Sequence, residues 1–599
     1  MLKGYVNRIL FVDLSNQRIR EEEPEEDLYR NFLGGYGVGA RILFSRQRAG
    51  IDPLSPDNTL GFVTGPLTGT PVPTGNRYTV VSKSPLTHTW GDANAGGDFG
   101  PYLKFAGYDA VFLTGASEIP IYLHIRDGKA ELRDAGDLWG KDTCQTEDML
   151  KAQLGNETRI ACIGQAGESL SLISCIINNK GRAAGRSGLG AVMGSKRLKA
   201  IAVTGGMRVP LADRERIKTL RRQYLGEFKN SKFIQVLQRF GTAGGTAELA
   251  YNGDSPVKNW GGVGKRDFPS AEAIGGDNIL RLQERKTGCW RCPVACGGEM
   301  KAGEEYPYAQ GAAKPEYETA CAFGTLCLND NLESIVMVND ICNRYGLDTI
   351  STGATVAFAI ECYEKGLIDK VDTGGIELRW GNHRAIVAIT EQMARREGFG
   401  SVLADGVKVA AGRLGKGSAE YAMHVGGQEL PMHDPKYAPA YATSYAIDAT
   451  PGRHTQGSSN SSSGEEQKKH NTLCQARNAA GICLFAGIDG EGLSGFLTAV
   501  TGHTYTVETV YEVGERVSNI RQAFNSREGI NPLERYVPGR VIGRPPQTEG
   551  PLAGITVDLE TRLSNYLRAM DWDPLTARPS KQKLEQLGLH DVAAELWHG

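Results

Sequence analysis

Short apolar, β-branched runs bounded by Gly, Pro and Asp dominate the first third of the chain. Residues 8–13, 60–64, 78–82, 110–114, 121–125 and 200–204 read as strands. Long helices are scarce across this stretch, and Met207-Arg-Val-Pro210 marks its end. From about residue 211 the apolar spacing changes to the helical period. Asp213 can cap a helix that begins at Arg214. Residues 332–345 place Ile335, Val338, Ile341 and Cys342 on one side and stop at Gly346. Residues 352–365 and 385–396 form two more helices. The Ser-rich segment 457–464 reads as a flexible loop. The pattern predicts an α+β chain: a strand-rich domain over 1–208, a mainly helical domain over 209–415, and a second helical domain over 416–599. No internal repeat is visible apart from a pair of short turns described below.

A chain of 599 residues exceeds what one core supports. Its 40% hydrophobic and 23% charged residues are those of an ordinary globular protein. A net charge of −2 gives no electrostatic case for nucleic acid or an anionic membrane surface. No apolar run approaches the ~18 residues a membrane span needs, and the first eight residues carry no signal-like apolar core. Twelve scattered cysteines in so long a chain point to a reducing cytoplasm. Glycine is the outlier: 76 residues, against a usual share of ~7%, so many positions need positive φ or close backbone approach.

Cys289-Trp-Arg-Cys292-Pro-Val-Ala-Cys296 offers three thiols at Cys-x2-Cys-x3-Cys spacing, and Cys483 offers a distant fourth. Four thiolates suit a [4Fe–4S] cluster. They also suit a structural zinc, although zinc usually takes two short Cys pairs and no second pair is present here. Cys483 closes the segment Asn478-Ala-Ala-Gly481-Ile-Cys483, which echoes Asn343-Arg-Tyr-Gly346-Leu-Asp348. Each segment would end a helix on a Gly turn, as an ordinary C-cap or as a turn that leaves backbone groups free for a ligand. Arg182-Ala183-Ala-Gly185-Arg-Ser-Gly is a Gly-rich turn with cations, suited to phosphate or to a plain surface turn. Pro73-Thr-Gly-Asn-Arg77 and Asn94-Ala-Gly96-Gly are further polar turns. On the residues alone, Glu318 is a helix-start carboxylate and His454 a polar loop residue.

Taken together, Gly65-Pro-Leu-Thr-Gly-Thr, Ser82-Lys-Ser-Pro-Leu-Thr, Leu103-Lys-Phe-Ala-Gly-Tyr-Asp, Gly185-Arg-Ser-Gly-Leu-Gly-Ala-Val-Met-Gly-Ser-Lys, Pro315-Glu-Tyr-Glu318 and Gly346-Leu-Asp-Thr-Ile-Ser-Thr-Gly give the chain an end-to-end resemblance. It resembles the aldehyde:ferredoxin oxidoreductase family of tungsten enzymes. The resemblance implies a tungsten atom held by two pterin dithiolenes, and one [4Fe–4S] cluster on Cys289, Cys292, Cys296 and Cys483. It implies that Arg77 lies between pterin and cluster, and that the turns of Asn343, Gly346 and Asp348 and of Asn478 and Gly481 each grip one pterin. Backbone near Asn94, Gly96, Arg182, Ala183 and Gly185 would meet the pterin phosphates and a bridging Mg²⁺. Glu318 would serve as general base and His454 as donor to the substrate oxygen, with His433 the next histidine to consider.

The implied reaction oxidises aldehydes to carboxylic acids and passes electrons to a ferredoxin or an iron–sulfur partner subunit in an oligomeric complex. Such a partner is expected on the exposed strand-rich face. Two alternatives share features of the pattern: the tungsten subunit of a benzoyl-CoA reductase-type complex, and a non-catalytic four-cysteine electron-transfer protein.

Three departures from the family pattern stand out. Asn343 and Asn478 replace its usual Asp, which removes charge but keeps an acceptor. Gln456 replaces a Lys two residues after the histidine. Met337-Val-Asn-Asp340 replaces a Glu-x-x-His that bridges subunits through a metal in some relatives, so no such bridge is expected.

Overall fold

The computed structural model describes residues 2–597. Twelve strands build two six-stranded sheets. They are β1 (Ile9–Asp13), β2 (Arg18–Glu22), β3 (Leu60–Thr64), β4 (Tyr78–Lys83), β5 (Trp90–Ala95), β6 (Ala110–Thr114), β7 (Ile121–Arg126), β8 (Lys129–Asp134), β9 (Arg159–Cys162), β10 (Ile176–Asn178), β11 (Arg182–Ala184) and β12 (Leu198–Thr204). The first sheet has the order β2-β1-β6-β3-β4-β5 and the second β8-β7-β12-β9-β10-β11. Adding six to each strand number converts one order into the other. The pairings agree as well: β1 runs parallel to β6 and β7 to β12, and the remaining neighbours are antiparallel. The fold therefore repeats an architecture that the sequence hides.

All six predicted strands form. The six missed ones are mostly polar or very short, such as Arg-Ile-Arg-Glu-Glu at the β2 edge. The Gly-rich segment read as a turn from residue 182 begins as strand β11, and only then turns through left-handed Gly188 (φ 68°) into helix Leu189–Ser195. Long helices are also present in this region. Gly35–Arg46 was hidden by its glycines, which the packing requires: a Cβ on Gly39 would stand 2.9 Å from Val81 Cγ1 on β4.

Alternation places the two sheets face to face. Leu10, Val12, Phe62 and Val80 of the first share one core with Leu123, Ile125, Ile201 and Val203 of the second. The opposite face of the first sheet, with Ile9, Val63 and Phe112, packs on helices Gly35–Arg46 and Val507–Arg527. The predicted helices are also present. Asp213 accepts from Arg216 N at the start of Arg214–Asn230, and Leu332–Tyr345 stops at Gly346. Helices Thr349–Glu364 and His383–Arg395 share the largest core with Leu332–Tyr345. The Ser-rich loop is pinned: Arg562 and Asn565 donate to its carbonyls at Asn460, Ser461 and Ser462. Among the described residues no helix is long and apolar enough to cross a membrane.

Each sheet docks one Gly turn. After β3, Gly65 lies so close to helix Gly464–Ala480 that a Cβ would stand 2.2 Å from the Ala480 carbonyl carbon. Arg77 N donates to Gly481 O (3.2 Å). After β9, a Cβ on Gly164 would stand 2.4 Å from the Tyr345 carbonyl carbon, and Cys175 N donates to Gly346 O (2.8 Å). Both turn glycines are left-handed, with φ of 76° at Gly346 and 84° at Gly481.

Candidate active site

The end strands β5 and β11 of the two sheets pack against each other, and the two Gly turns flank them. Asn94 on β5 accepts from Arg77 Nε (2.6 Å) and donates through Nδ2 to Asn478 Oδ1 (3.1 Å). Asn478 Nδ2 in turn faces Cys474 Sγ (3.6 Å). Gly96 is confined: a Cβ there would stand 2.6 Å from Arg77 Nη1 and 2.7 Å from Cys289 Sγ. Arg77, Asn94, Gly96, Asn478 and Gly481 thus meet beside the first cysteine. On the other side, Ala183 is exposed on β11 and Gly185 faces Asp348, whose Oδ1 would lie 3.9 Å from a Cβ. Asp348 caps helix Thr349–Glu364 by accepting from Ile350 N and Ser351 N. Its Oδ2 lies 3.0 Å from Arg186 Nε, close enough for charge attraction but out of line for a hydrogen bond. Asn343 is buried; its carbonyl accepts from Thr143 Oγ1 (2.8 Å).

The fold carries Cys483 to the cysteine loop. Burial first, then the neighbouring Cys289 and Cys483, push the Cys292 thiol up to about 11. Burial, Glu316, Cys483 and Cys289 push Cys296 up to about 12, with Arg182 opposing. A cation bound among these groups would supply the positive charge that thiolates need here. Arg182 is turned toward this nest: it pairs with Glu316 Oε1 (3.1 Å), and proximity to Cys289 above all raises its pKa.

The second centre is a pocket of one carboxylate and two imidazoles. Glu318 occupies the first turn of helix Tyr317–Phe323, and its Oε1 lies 3.5 Å from Nε2 of both His433 and His454. Met432 N donates to Glu318 Oε2 (2.8 Å), while Oε1 is enclosed without a partner. His433 Nδ1 meets Asp254 Oδ2 at 2.7 Å, and its ring stacks on Tyr441 with centroids 5.1 Å apart. Burial raises the pKa of Glu318, and the charge of His433 partly opposes that. Burial alone would lower His433, but the Asp254 hydrogen bond and the Glu318 charge raise it overall. Burial, then His433, Arg186 and Arg453, hold His454 well below its ordinary value, so it is neutral.

His454 is anchored through its neighbour. Arg453 donates to the Asp92 carbonyl (2.8 Å), and Arg521 bridges the carboxylates of Asp92 and Asp448 at 2.8 and 3.0 Å. Gln456 is buried, its Oε1 accepting from Gln475 Nε2 (2.9 Å) while its own Nε2 is unpartnered. Several buried polar atoms around the cradle lack protein partners: Asn178 Oδ1, Arg186 Nη1, Glu318 Oε1, His454 Nδ1 and Gln456 Nε2. Such groups belong beside a polar ligand, because an unmet buried donor or acceptor costs about 1–3 kcal/mol. The residues therefore fit a polar cofactor that both donates and accepts hydrogen bonds.

Sequence reading overlooked Asp254, Arg186 and Arg453. Arg186 stood only as one cation of the Gly-rich turn, and no local pattern marks Asp254 or Arg453, since each acts through a partner distant in the chain. It also made His433 a reserve to His454, whereas both touch Glu318 equally.

A strand-rich double sheet joined to helices thus carries a four-cysteine nest and a carboxylate–imidazole pocket, groups suited to a redox enzyme. The chain matches the model of the aldehyde ferredoxin oxidoreductase N-terminal domain over residues 9–205 and that of domains 2 and 3 over residues 219–589, and it belongs to this family. It is an oxidoreductase. The tungsten-containing aldehyde ferredoxin oxidoreductase of Pyrococcus furiosus is 38% identical over 98% of this chain and 99% of its own. The enzyme of the same name from Thermococcus kodakarensis is 37% identical over 98% and 99%. A Pyrococcus furiosus aliphatic sulfonate oxidoreductase, WOR-like subunit, is 29% identical over 99% and 98%. Among solved structures, the active site complex BamBC of benzoyl coenzyme A reductase with 1,5 dienoyl-CoA shares the fold, with TM-score 0.86, 24% identity, and 99% and 98% coverage.

Proposed function

We propose that the protein oxidises aldehydes to carboxylic acids with a tungsten-bis-pterin cofactor and passes the electrons through a [4Fe–4S] cluster to a ferredoxin or iron–sulfur partner. The reaction balances as aldehyde plus water giving acid, two protons and two electrons. Tungsten in its two pterin dithiolenes would supply the two-electron redox chemistry. The Asn343–Asp348 and Asn478–Gly481 turns would hold the pterins. Backbone groups near Asn94, Gly96, Arg182, Ala183 and Gly185 would hold their phosphates and a Mg²⁺ ion. Arg77 would sit between pterin and cluster. Cys289, Cys292, Cys296 and Cys483 would hold the cluster.

The observation that carries this reading is the free Oε1 of Glu318, held between two imidazole Nε2 atoms at 3.5 Å. Met432 N–H fixes Oε2, so Oε1 is the oxygen left to take a proton from water or the hydrated aldehyde. His433, oriented by Asp254, places positive charge beside that carboxylate. His454, neutral and anchored beside Arg453, can donate to the substrate oxygen as negative charge develops there. Tyr317, Tyr441 and Tyr445 wall the pocket with aromatic surface and exclude water.

Elemental analysis of anaerobically purified protein, followed by an aldehyde–viologen assay, tests the proposal. Tungsten with about four irons per chain and aldehyde-dependent dye reduction are expected. Zinc in place of iron, with no dye reduction by any aldehyde, would sink it.

A further inference from the structure

The outer wall of the cysteine nest is helix Lys232–Phe240. Its inner side buries Ile234 and Leu237 in the core that also contains Val294 and Ile482, with Cys292 and Cys296 packed against it. Past its C-terminus, a Cβ on Gly241 would stand 2.6 Å from the Cys296 carbonyl oxygen, and Gln238 Nε2 donates to Pro293 O (3.1 Å). Near its N-terminus the Phe233 ring lies 6.3 Å from Phe485, two residues beyond Cys483. The helix thus spans the nest from its fourth cysteine to its third.

The outward side of this helix is apolar where solvent-facing residues should be polar. Phe233 is 56% exposed, Val236 42% and Phe485 41%. The helix and the segments next to it in the nest carry exposed cations: Lys229, Lys232, Arg239, Lys286 and Arg291. Residues 228–240, 285–298 and 478–488 contain no Asp or Glu, while the exposed acids Glu227, Glu284 and Asp489 stand at the ends of these segments. Arg239 pairs with Asp277 at 3.7 Å, so the unpaired positive charge of this surface rests on the other cations. The whole chain carries −2, so this basic surface is local. Val371, 87% exposed, lacks this setting and sits between Lys370 and Asp372.

We infer that Phe233, Val236 and Phe485, rimmed by Lys229, Lys232 and Arg291, form the docking surface for a small acidic one-electron iron–sulfur carrier protein. The inference rests on the proposed passage of electrons through the cysteine nest. An apolar centre lets the two surfaces approach without trapped water, and a basic rim steers an acidic partner and sets a salt dependence. Three exposed side chains are a small contact, as transient electron-transfer partners use. The surface lies on the helical side of the nest and not on the strand-rich face where a partner was expected.

The test uses the holoenzyme, an acidic ferredoxin and methyl viologen. Two variants are compared with wild type: Lys232→Glu with Phe233→Glu, and Phe485→Ser. Acids at the first two positions of this helix favour its dipole, so the first variant should fold. Ferredoxin binding should weaken about tenfold or more, with a matching rise in its KM and a flatter salt dependence. Iron content and viologen reduction should match wild type. Unchanged ferredoxin affinity in both variants would overturn the docking surface, whatever the turnover. Wild-type protein that binds ferredoxin, weakened by the variants, yet oxidises no aldehyde would overturn the catalytic reading and leave the surface standing.

Discussion

The two sheet-and-turn halves share one connectivity and hold equivalent left-handed glycine turns, yet they end in different chemistry. In the half of the first sheet, the turn runs from Asn478 to Cys483, and its last residue joins the cysteine nest. In the half of the second sheet, the turn runs from Asn343 to Asp348, and its last residue caps a helix and faces the buried Arg186. Asn478 is engaged with Asn94 and Cys474. The Asn343 side chain has no hydrogen bond of this kind among the described residues. A symmetric backbone thus carries an asymmetric set of side chains. Under the proposed function, a near-symmetric pair of ligand groups would be gripped alike on both sides, while only one side would lead electrons outward.

The largest effect should come from erasing that asymmetry at Cys483. Cys483→Ala is expected to lose iron and ferredoxin-coupled turnover, whereas Asp348→Ala should keep its iron. Iron analysis of the two variants decides it, and a Cys483→Ala protein with full iron would make the halves functionally alike. Next in size are the pocket residues that neither turn supplies. Glu318→Gln and His454→Asn should each lower kcat/KM by about 10²–10⁴-fold with tungsten and iron retained. Full activity in either would remove that group from the chemistry.

The pH profile sharpens the role of His433. A general base must be ionised, and burial raises Glu318 above the ordinary carboxylate value. Activity should therefore fall, as pH decreases, at a higher pH than an exposed glutamate would give. The positive charge of His433 lowers the Glu318 pKa, so His433→Asn should move this acid limb further up. His454, already neutral, should add no limb of its own. A limb that stays in place in His433→Asn would show that the two groups are uncoupled.

The smallest effects concern the turns as scaffolds. Asp348→Ala strips a helix cap and leaves buried Arg186 without its carboxylate, a loss of about 3 kcal/mol. Asn478→Ala removes only neutral hydrogen bonds, about 1 kcal/mol. Thermal midpoints of the two holoenzymes should fall in that order, and the reverse order would place the structural weight on the first sheet's turn.

Local patterns were sufficient for some of this. Leu332–Tyr345 and its stop at Gly346 follow from apolar spacing and a left-handed cap, both short-range effects. The six β-branched strands were legible for the same reason. The four cysteines and the two echoing turns were visible as motifs, and the family resemblance singled out Glu318 and His454. Polar edge strands such as β2 and β8 were not legible, because their pairing partner, not their composition, makes them strands. The duplication of the sheets left no repeat in the residues, since a strand order is a set of long-range pairings.

The sequence by itself determined the six apolar strands, the amphipathic helices, the glycine turns and the thiol set, because each depends on residues near one another in the chain. Only the tertiary structure decided that Cys483 reaches Cys292, that Asp254 orients His433, that Arg182 turns to the cysteines, and that Arg521 and Arg453 anchor the loop of His454 on Asp92. Those contacts span tens to hundreds of residues, and burial, which sets the charge states of Glu318 and His454, is a property of the packed molecule alone.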